Sequence, residues 1–195
     1  PEGLRDTLLA AYREPHRAYH TVAHLRAAFA ALAAVAPLAR RLPELQIALW
    51  FHDAVYDPRA ADNEERSARW AADTLGAAGA APEVVERVAA LVRATRHDAV
   101  PDDPDARLLV DADLAILGAD PDTFDRYEEQ VRAEYAWVPD DAFRAGRARI
   151  LRAFLERPRL YQTPRFAERL EDAARANLAR SLRRLDGPDG TPAVH

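Results

Sequence analysis

The stretch Leu49-Trp50-Phe51-His52-Asp53-Ala54-Val55-Tyr56-Asp57 sets an imidazole and a carboxylate side by side in an apolar run. Burying an ionised Asp against Trp50 and Phe51 costs several kcal/mol unless a partner compensates the charge. A divalent cation is the strongest such partner, so His52 and Asp53 are expected to form half of a metal site. Two other stretches offer the remaining half. Upstream, His20 and His24 in Tyr19-His20-Thr21-Val22-Ala23-His24 share one face if the segment is helical. Downstream, Asp111 and Asp113 are embedded in the apolar run Leu108 to Leu117. Two residues apart on a helix, these carboxylates point to different faces, and the spacing alone leaves them as alternatives. The chain has no cysteine, which excludes thiolate zinc sites, disulfides and a Cys nucleophile. Any metal must be held by His, Asp and Glu.

The elements that must position these groups read as helices almost throughout. Leu4, Leu8, Leu9 and Tyr12 mark a first amphipathic helix ending near Pro15, and Leu25, Phe29 and Leu32 mark a second from about Tyr19 to Val35. A third runs from Pro43 to about Val55, with the His52-Asp53 pair near its C-terminal end. Asp62 and Glu65 have the spacing of a capping box opening a fourth helix, stopped at Gly76. Pro82 suits the first position of a fifth helix ending near Thr95. Asp103-Pro104 and Asp120-Pro121 repeat a cap-then-proline start, the first for a helix closed by Gly118 and the second for one reaching about Trp137. After Pro139 a helix reaches Pro158, and Thr163-Pro164 opens the last, to about Leu185. The Gly- and Pro-rich segment 186–195 is expected to be a loose tail. Trp50, Phe51, Trp70, Phe124, Tyr127, Tyr135 and Trp137 fall at helical spacing and are expected in the core. No period-2 strand or internal repeat appears, so the expected fold is an all-α, single-domain helical bundle over residues 1–185.

Composition narrows the function. The net charge is -5, and all 27 basic residues are Arg, which gives no basic footprint for a nucleic-acid polymer. A small phosphorylated substrate remains compatible, because Arg can be concentrated locally. No run approaches the roughly 18 consecutive apolar residues of a membrane helix, and no signal-peptide pattern opens the chain; a cytoplasmic protein with no membrane partner is expected. The Ala-rich helix faces suit close packing on each other or on a second copy of the chain.

The motifs YHTVAH, FHDAVYD, DNEERSA, ATRH, DADLAILG and EDAARANL occur in that order between Tyr19 and Leu178, within a likeness that covers about residues 4–185. Together they resemble the predicted metal-dependent HD phosphohydrolase family of bacteria, within the HD-domain superfamily. The resemblance implies an HD-type helical domain with one divalent transition metal, Mn, Fe, Zn, Co or Ni, held by His24, His52, Asp53 and Asp113. Asp113 is favoured over Asp111 because the family pattern reads Ala-Asp-Leu where this chain has Ala112-Asp113-Leu114. A metal so held lowers the pKa of a water and polarises a phosphoryl oxygen. The implied activity is hydrolysis of a small phosphate ester or nucleotide.

The resemblance also nominates groups around the metal. His20 matches a position that donates a proton to the leaving oxygen, against the plain alternative of a buried histidine bonded to a carbonyl. Glu64 is the acid it suggests as general base or water-orienting group, against a solvated first-turn acid. His97 is a candidate phosphate contact or second-metal ligand, or simply a cation at a helix C-terminus. Arg147 and Arg175 are candidate phosphate forks, although Arg175 can instead lock the last helix through Glu171. Two other functional classes stand beside the hydrolase: a helical binding or regulatory module with a structural metal, and a di-iron HD-type oxygenase, which needs more ligands than these motifs supply.

Overall fold

A computed structural model describes residues 3–187. Among them are nine α-helices and two 3₁₀ turns with no strand, so the all-α expectation holds. No helix among them is long and apolar enough to cross a membrane. The helices gather into two compact units, divided between Asp113 and Leu114. From residue 188 onward the expected tail lies outside the described residues.

The first unit contains α1 (Leu4–Ala11), α2 (Val22–Ala33), α3 (Leu42–Phe51), α4 (Asn63–Ala77), α5 (Pro82–Ala94) and α6 (Pro104–Asp113). Its axis is α3. That helix is mostly apolar, and such a helix must bury most of its surface. Accordingly α2, α4, α5 and α6 all pack on it, leaving Pro43 and Gln46 exposed. Leu45, Ala48 and Leu49 are completely buried, each leucine contributing about 1.5–3 kcal/mol. The start of α6 is fixed to the start of α3 by Asp105, whose two carboxylate oxygens accept the Arg40 and Arg41 N–H groups at 2.8 and 2.9 Å.

Several helix ends differ from the periodic reading, each for a local reason. The second helix begins at Val22 because Thr21 is extended and its hydroxyl accepts the Ala23 N–H at 3.2 Å. Tyr19 and His20 therefore precede the helix. Asp62 and Glu65 make no capping box: Asp62 gives no side-chain cap bond, and Glu65 instead pairs with Arg93. Gly76 lies inside α4, and the left-handed residue closing that helix is Gly79, at φ 77°. The caps expected at Asp103 and Asp120 are present, Asp103 Oδ1 accepting from the Asp105 and Ala106 N–H groups and Asp120 Oδ1 from that of Thr123.

The second unit begins with a 3₁₀ turn, Leu114–Gly118, followed by α7 (Pro121–Glu134), α8 (Asp140–Glu156) and α9 (Pro164–Asp186). Thus the sixth α-helix ends at Asp113, and the Leu-Ala-Ile-Leu-Gly segment tightens rather than continuing it. Phe124 is fully buried here, but Trp137, expected in the core, is 49% exposed. The 3₁₀ turn lies against α9 so closely that a Cβ on Gly118 would sit 2.6 Å from Leu170 Cβ and 2.9 Å from its carbonyl oxygen. Asn177, on the same helix, donates to the Leu117 and Ala119 carbonyls at 2.9 and 2.8 Å, bracketing that glycine.

Gly118→Ala is accordingly expected to destabilise the protein by about 1–3 kcal/mol, since backbone as well as side chain must shift. Urea unfolding followed by circular dichroism measures this.

Candidate metal centre

Four donor atoms converge in the first unit. His24 lies in the first turn of α2, His52 caps the C-terminus of α3, Asp53 follows it, and Asp113 ends α6. The Nε2 atoms of His24 and His52 are 3.0 Å apart. Asp53 Oδ2 lies 3.4 Å from the first and 2.9 Å from the second. Asp113 Oδ1 lies 3.1 and 3.4 Å from the same two atoms. Between the two carboxylates offered by the spacing, it is Asp113 whose oxygen reaches the imidazoles.

These separations can be tested against an ion. Bonds of about 2.0–2.2 Å at angles between octahedral and tetrahedral place neighbouring donors about 3.0–3.4 Å apart. His24, His52 and Asp53 form a group able to hold a metal ion. The His52 tautomer fits as well: its Nδ1 is 2.7 Å from the Leu49 carbonyl, which only accepts, so Nδ1 carries the hydrogen and Nε2 faces the centre as a lone pair. That same bond satisfies a carbonyl left orphaned by the end of α3. The imidazoles are almost fully buried, while the Asp53 and Asp113 side chains keep 17% and 12% exposure. One side of the cluster is therefore open to water or a ligand.

Without a metal, protons must compensate the carboxylates. Burial pushes His24 toward its neutral form, but hydrogen bonds with Asp113 and Asp53 outweigh it and raise its pKa above the ordinary histidine value. His52 is likewise opposed by burial, yet the charge of Asp53 helps to lift it well above that value. Burial alone would raise both carboxyls, but the charge of His52 holds Asp53, and hydrogen bonds from His24 and His52 hold Asp113, well below the usual carboxylate range.

The connection before α2 is held by two residues the sequence reading did not single out for this purpose. Arg17 is buried, and its guanidinium donates to the carbonyls of His20, Asp53 and Ala54 at 3.2, 2.7 and 3.2 Å while pairing with Glu14. It also lies over the rings of Tyr12 and Tyr56, 5.3 Å from each centroid. Tyr12 is fully buried; its hydroxyl is 3.3 Å from the Trp50 carbonyl, to which it donates, and accepts the Asp53 N–H at 3.3 Å. One arginine among 27 carries no positional signal, and Tyr12 reads simply as an apolar helix position. The segment after Asp53 is pinned from α4, where Ser67 bonds both backbone groups of Val55 and Asn63 those of Asp57.

The other nominated residues divide between the two units. His20 is half-buried, its ring stacked on Tyr56 at 4.1 Å and 5.8 Å from that of His24. Its charge is among those that lower the Asp53 pKa. Glu64, in the first turn of α4, is also half-buried; burial raises its pKa, and it feels the charges of Asp53 and His97. His97 contacts Asp113 Oδ2 at 2.9 Å. In the second unit, Arg147 is buried against Glu128 and the Tyr127 hydroxyl. Arg175 pairs with Glu171 at 2.8 Å and donates to the carbonyls of Leu155, Arg157 and Pro158, forming the internal lock that its spacing from Glu171 allowed. Both guanidinium groups are thus engaged within that unit. Comparison of the chain with protein-family models, curated proteins and solved structures gives no match.

Two outcomes follow for the centre. Imidazoles with raised pKa stabilise the fold fully below the ordinary histidine value and lose that contribution as pH rises through the raised value. The depressed carboxyls contribute above their ordinary range and lose it as pH falls. Calorimetry of chelated protein should therefore show Tm declining on the alkaline side, a decline that added Zn2+ removes, because the ion replaces the lost protons. Arg17→Ala leaves three buried or half-buried carbonyls without their donor and should cost about 3 kcal/mol in urea unfolding; Arg17→Lys should recover only part, since an ammonium lacks the planar fork.

Proposed function

We propose that this protein is a divalent-metal phosphohydrolase of the HD type, acting on a small phosphate ester or nucleotide. The observation that carries the reading is the convergence of two imidazole nitrogens and two carboxylate oxygens at 2.9–3.4 Å, open on one side. His24, His52, Asp53 and Asp113 would hold one Mn, Fe, Zn, Co or Ni ion. When bound, such an ion supplies Lewis acidity that polarises a phosphoryl oxygen and makes a water more acidic.

The remaining chemistry belongs to the chain. Water attacks phosphorus, the bond from phosphorus to the ester oxygen breaks, and the departing oxygen takes a proton from His20. The geometry that supports this role is a half-buried imidazole one ring away from His24, clamped against Tyr56. Arg17 holds its backbone. Glu64, half-buried with a raised pKa, suits a group that orients the attacking water and accepts its proton. Tyr56 is covered by the His20 ring and lies under the Arg17 cation, so it braces the proton donor instead of offering a platform for a base. The resemblance of the six motifs to the HD phosphohydrolase family supports the same reaction class.

Metal content and turnover, measured together on two variants, test this reading. Asp53→Ala should lose both the ion and hydrolysis. His20→Ala should keep the ion and lower turnover about 10²–10⁴-fold, with a larger loss on an alkyl phosphate than on p-nitrophenyl phosphate, whose leaving group needs no proton. Loss of the ion from His20→Ala would overturn the proton-donor role.

A further inference from the structure

His97 is the one non-glycine residue among those described with a positive φ, at 60°. Left-handed backbone is unfavourable for a side chain bearing Cβ. The position lies two residues past Thr95, the C-cap of α5. A histidine there is held by its surroundings against a local preference. What the conformation achieves is visible in the geometry: Nε2 is brought to 2.9 Å from Asp113 Oδ2. The other oxygen of the same carboxylate, Oδ1, is the one that lies 3.1 and 3.4 Å from His24 and His52.

We propose that His97 is a positioning residue that fixes which oxygen of Asp113 faces the metal. The inference rests on the metal-centre reading above, with Asp113 as a ligand. A carboxylate at the end of a helix can rotate about its last torsion and offer either oxygen, or both. Because Asp113 accepts and does not donate, the hydrogen of this contact sits on His97 Nε2, and donation to Oδ2 holds the group with Oδ1 toward the imidazoles. Asp113 becomes a one-oxygen ligand, leaving more of the open side for substrate. The pair is partly shielded, with 18% and 12% of the two side chains exposed, which protects the bond from competition by water. His97 thus plays toward Asp113 the part that the Leu49 carbonyl plays toward His52: an outer partner that aims a ligand.

The test is titration of the purified full chain with Co2+, following its visible absorption band and competition with a chromophoric chelator. His97→Gly and His97→Asn both suit left-handed backbone and both remove the imidazole, so at least one is expected to fold normally by circular dichroism. Each should bind one ion per chain about 10–100-fold more weakly than the wild type, with an altered cobalt spectrum as Asp113 becomes free to offer both oxygens. Unchanged affinity and spectrum, with only a lowered melting temperature, would make His97 a purely structural residue and overturn the proposal. Two ions in the wild type and one in the variants would make it a ligand, which also overturns it. Failure of the metal-centre reading itself looks different, because the wild type would then take up no cobalt at all.

Discussion

Two buried imidazoles crowded against the carboxylates of Asp53 and Asp113 require positive charge among them, and this constraint bears on the helix ends of the first unit. The donors come from helix ends: the first turn of α2, the C-cap of α3 with the residue after it, and the last residue of α6. His97, just beyond α5, adds a third C-terminal end at the cluster. The C-terminal ends of helices carry partial negative charge, which favours a cation over an anion at their meeting point. Protons can fill that role, as the raised imidazoles and depressed carboxyls show. A divalent ion would bring more charge, and His24, His52 and Asp53 form a group that could hold one.

Ligands at helix ends are only as precise as the connections between helices. Here the two critical connections are built as carefully as the helices. Arg17 gathers carbonyls from the residue before α2 and the two residues after His52, so one buried cation sets the distance between the His20 segment and the Asp53 segment. Tyr12 supports the same corner through Trp50 and Asp53. Ser67 and Asn63 secure the following residues from α4. The core helix α3 contributes what no loop could, a fixed origin packed by four neighbouring helices.

Much of this was legible from residue types. An apolar run interrupted by His52 and Asp53 could be read as a paid-for burial of charge, and the cap-then-proline starts at Asp103 and Asp120 proved accurate because a cap is a local interaction. One departure comes from an interaction that is long-range in sequence: Glu65 is diverted from capping by Arg93, 28 residues away. Thr21 caps α2 through a local bond, so the His20 and His24 rings are neighbours without sharing a helix. Arg17 could be recognised only through the carbonyls it collects, which no one-dimensional pattern displays.

The six motifs that resemble one family divide by physical role. YHTVAH, FHDAVYD and the aspartate closing DAD supply the centre, whereas DNEERSA contributes Asn63 and Ser67 as anchors along with half-buried Glu64. LAILG and EDAARANL lie wholly in the second unit, and there the residues are explained by packing: Gly118 by the approach of Leu170, Asn177 by the two carbonyls flanking that glycine, and Arg175 by Glu171. A glycine with no room for a Cβ and an asparagine bracketing it form one interlock. It follows that a residue's place in a recurring motif does not by itself nominate it for the reaction: Arg147 and Arg175 have their guanidinium groups engaged in holding the second unit together, with Glu128 and Tyr127 for the first and with Glu171 and three backbone carbonyls for the second.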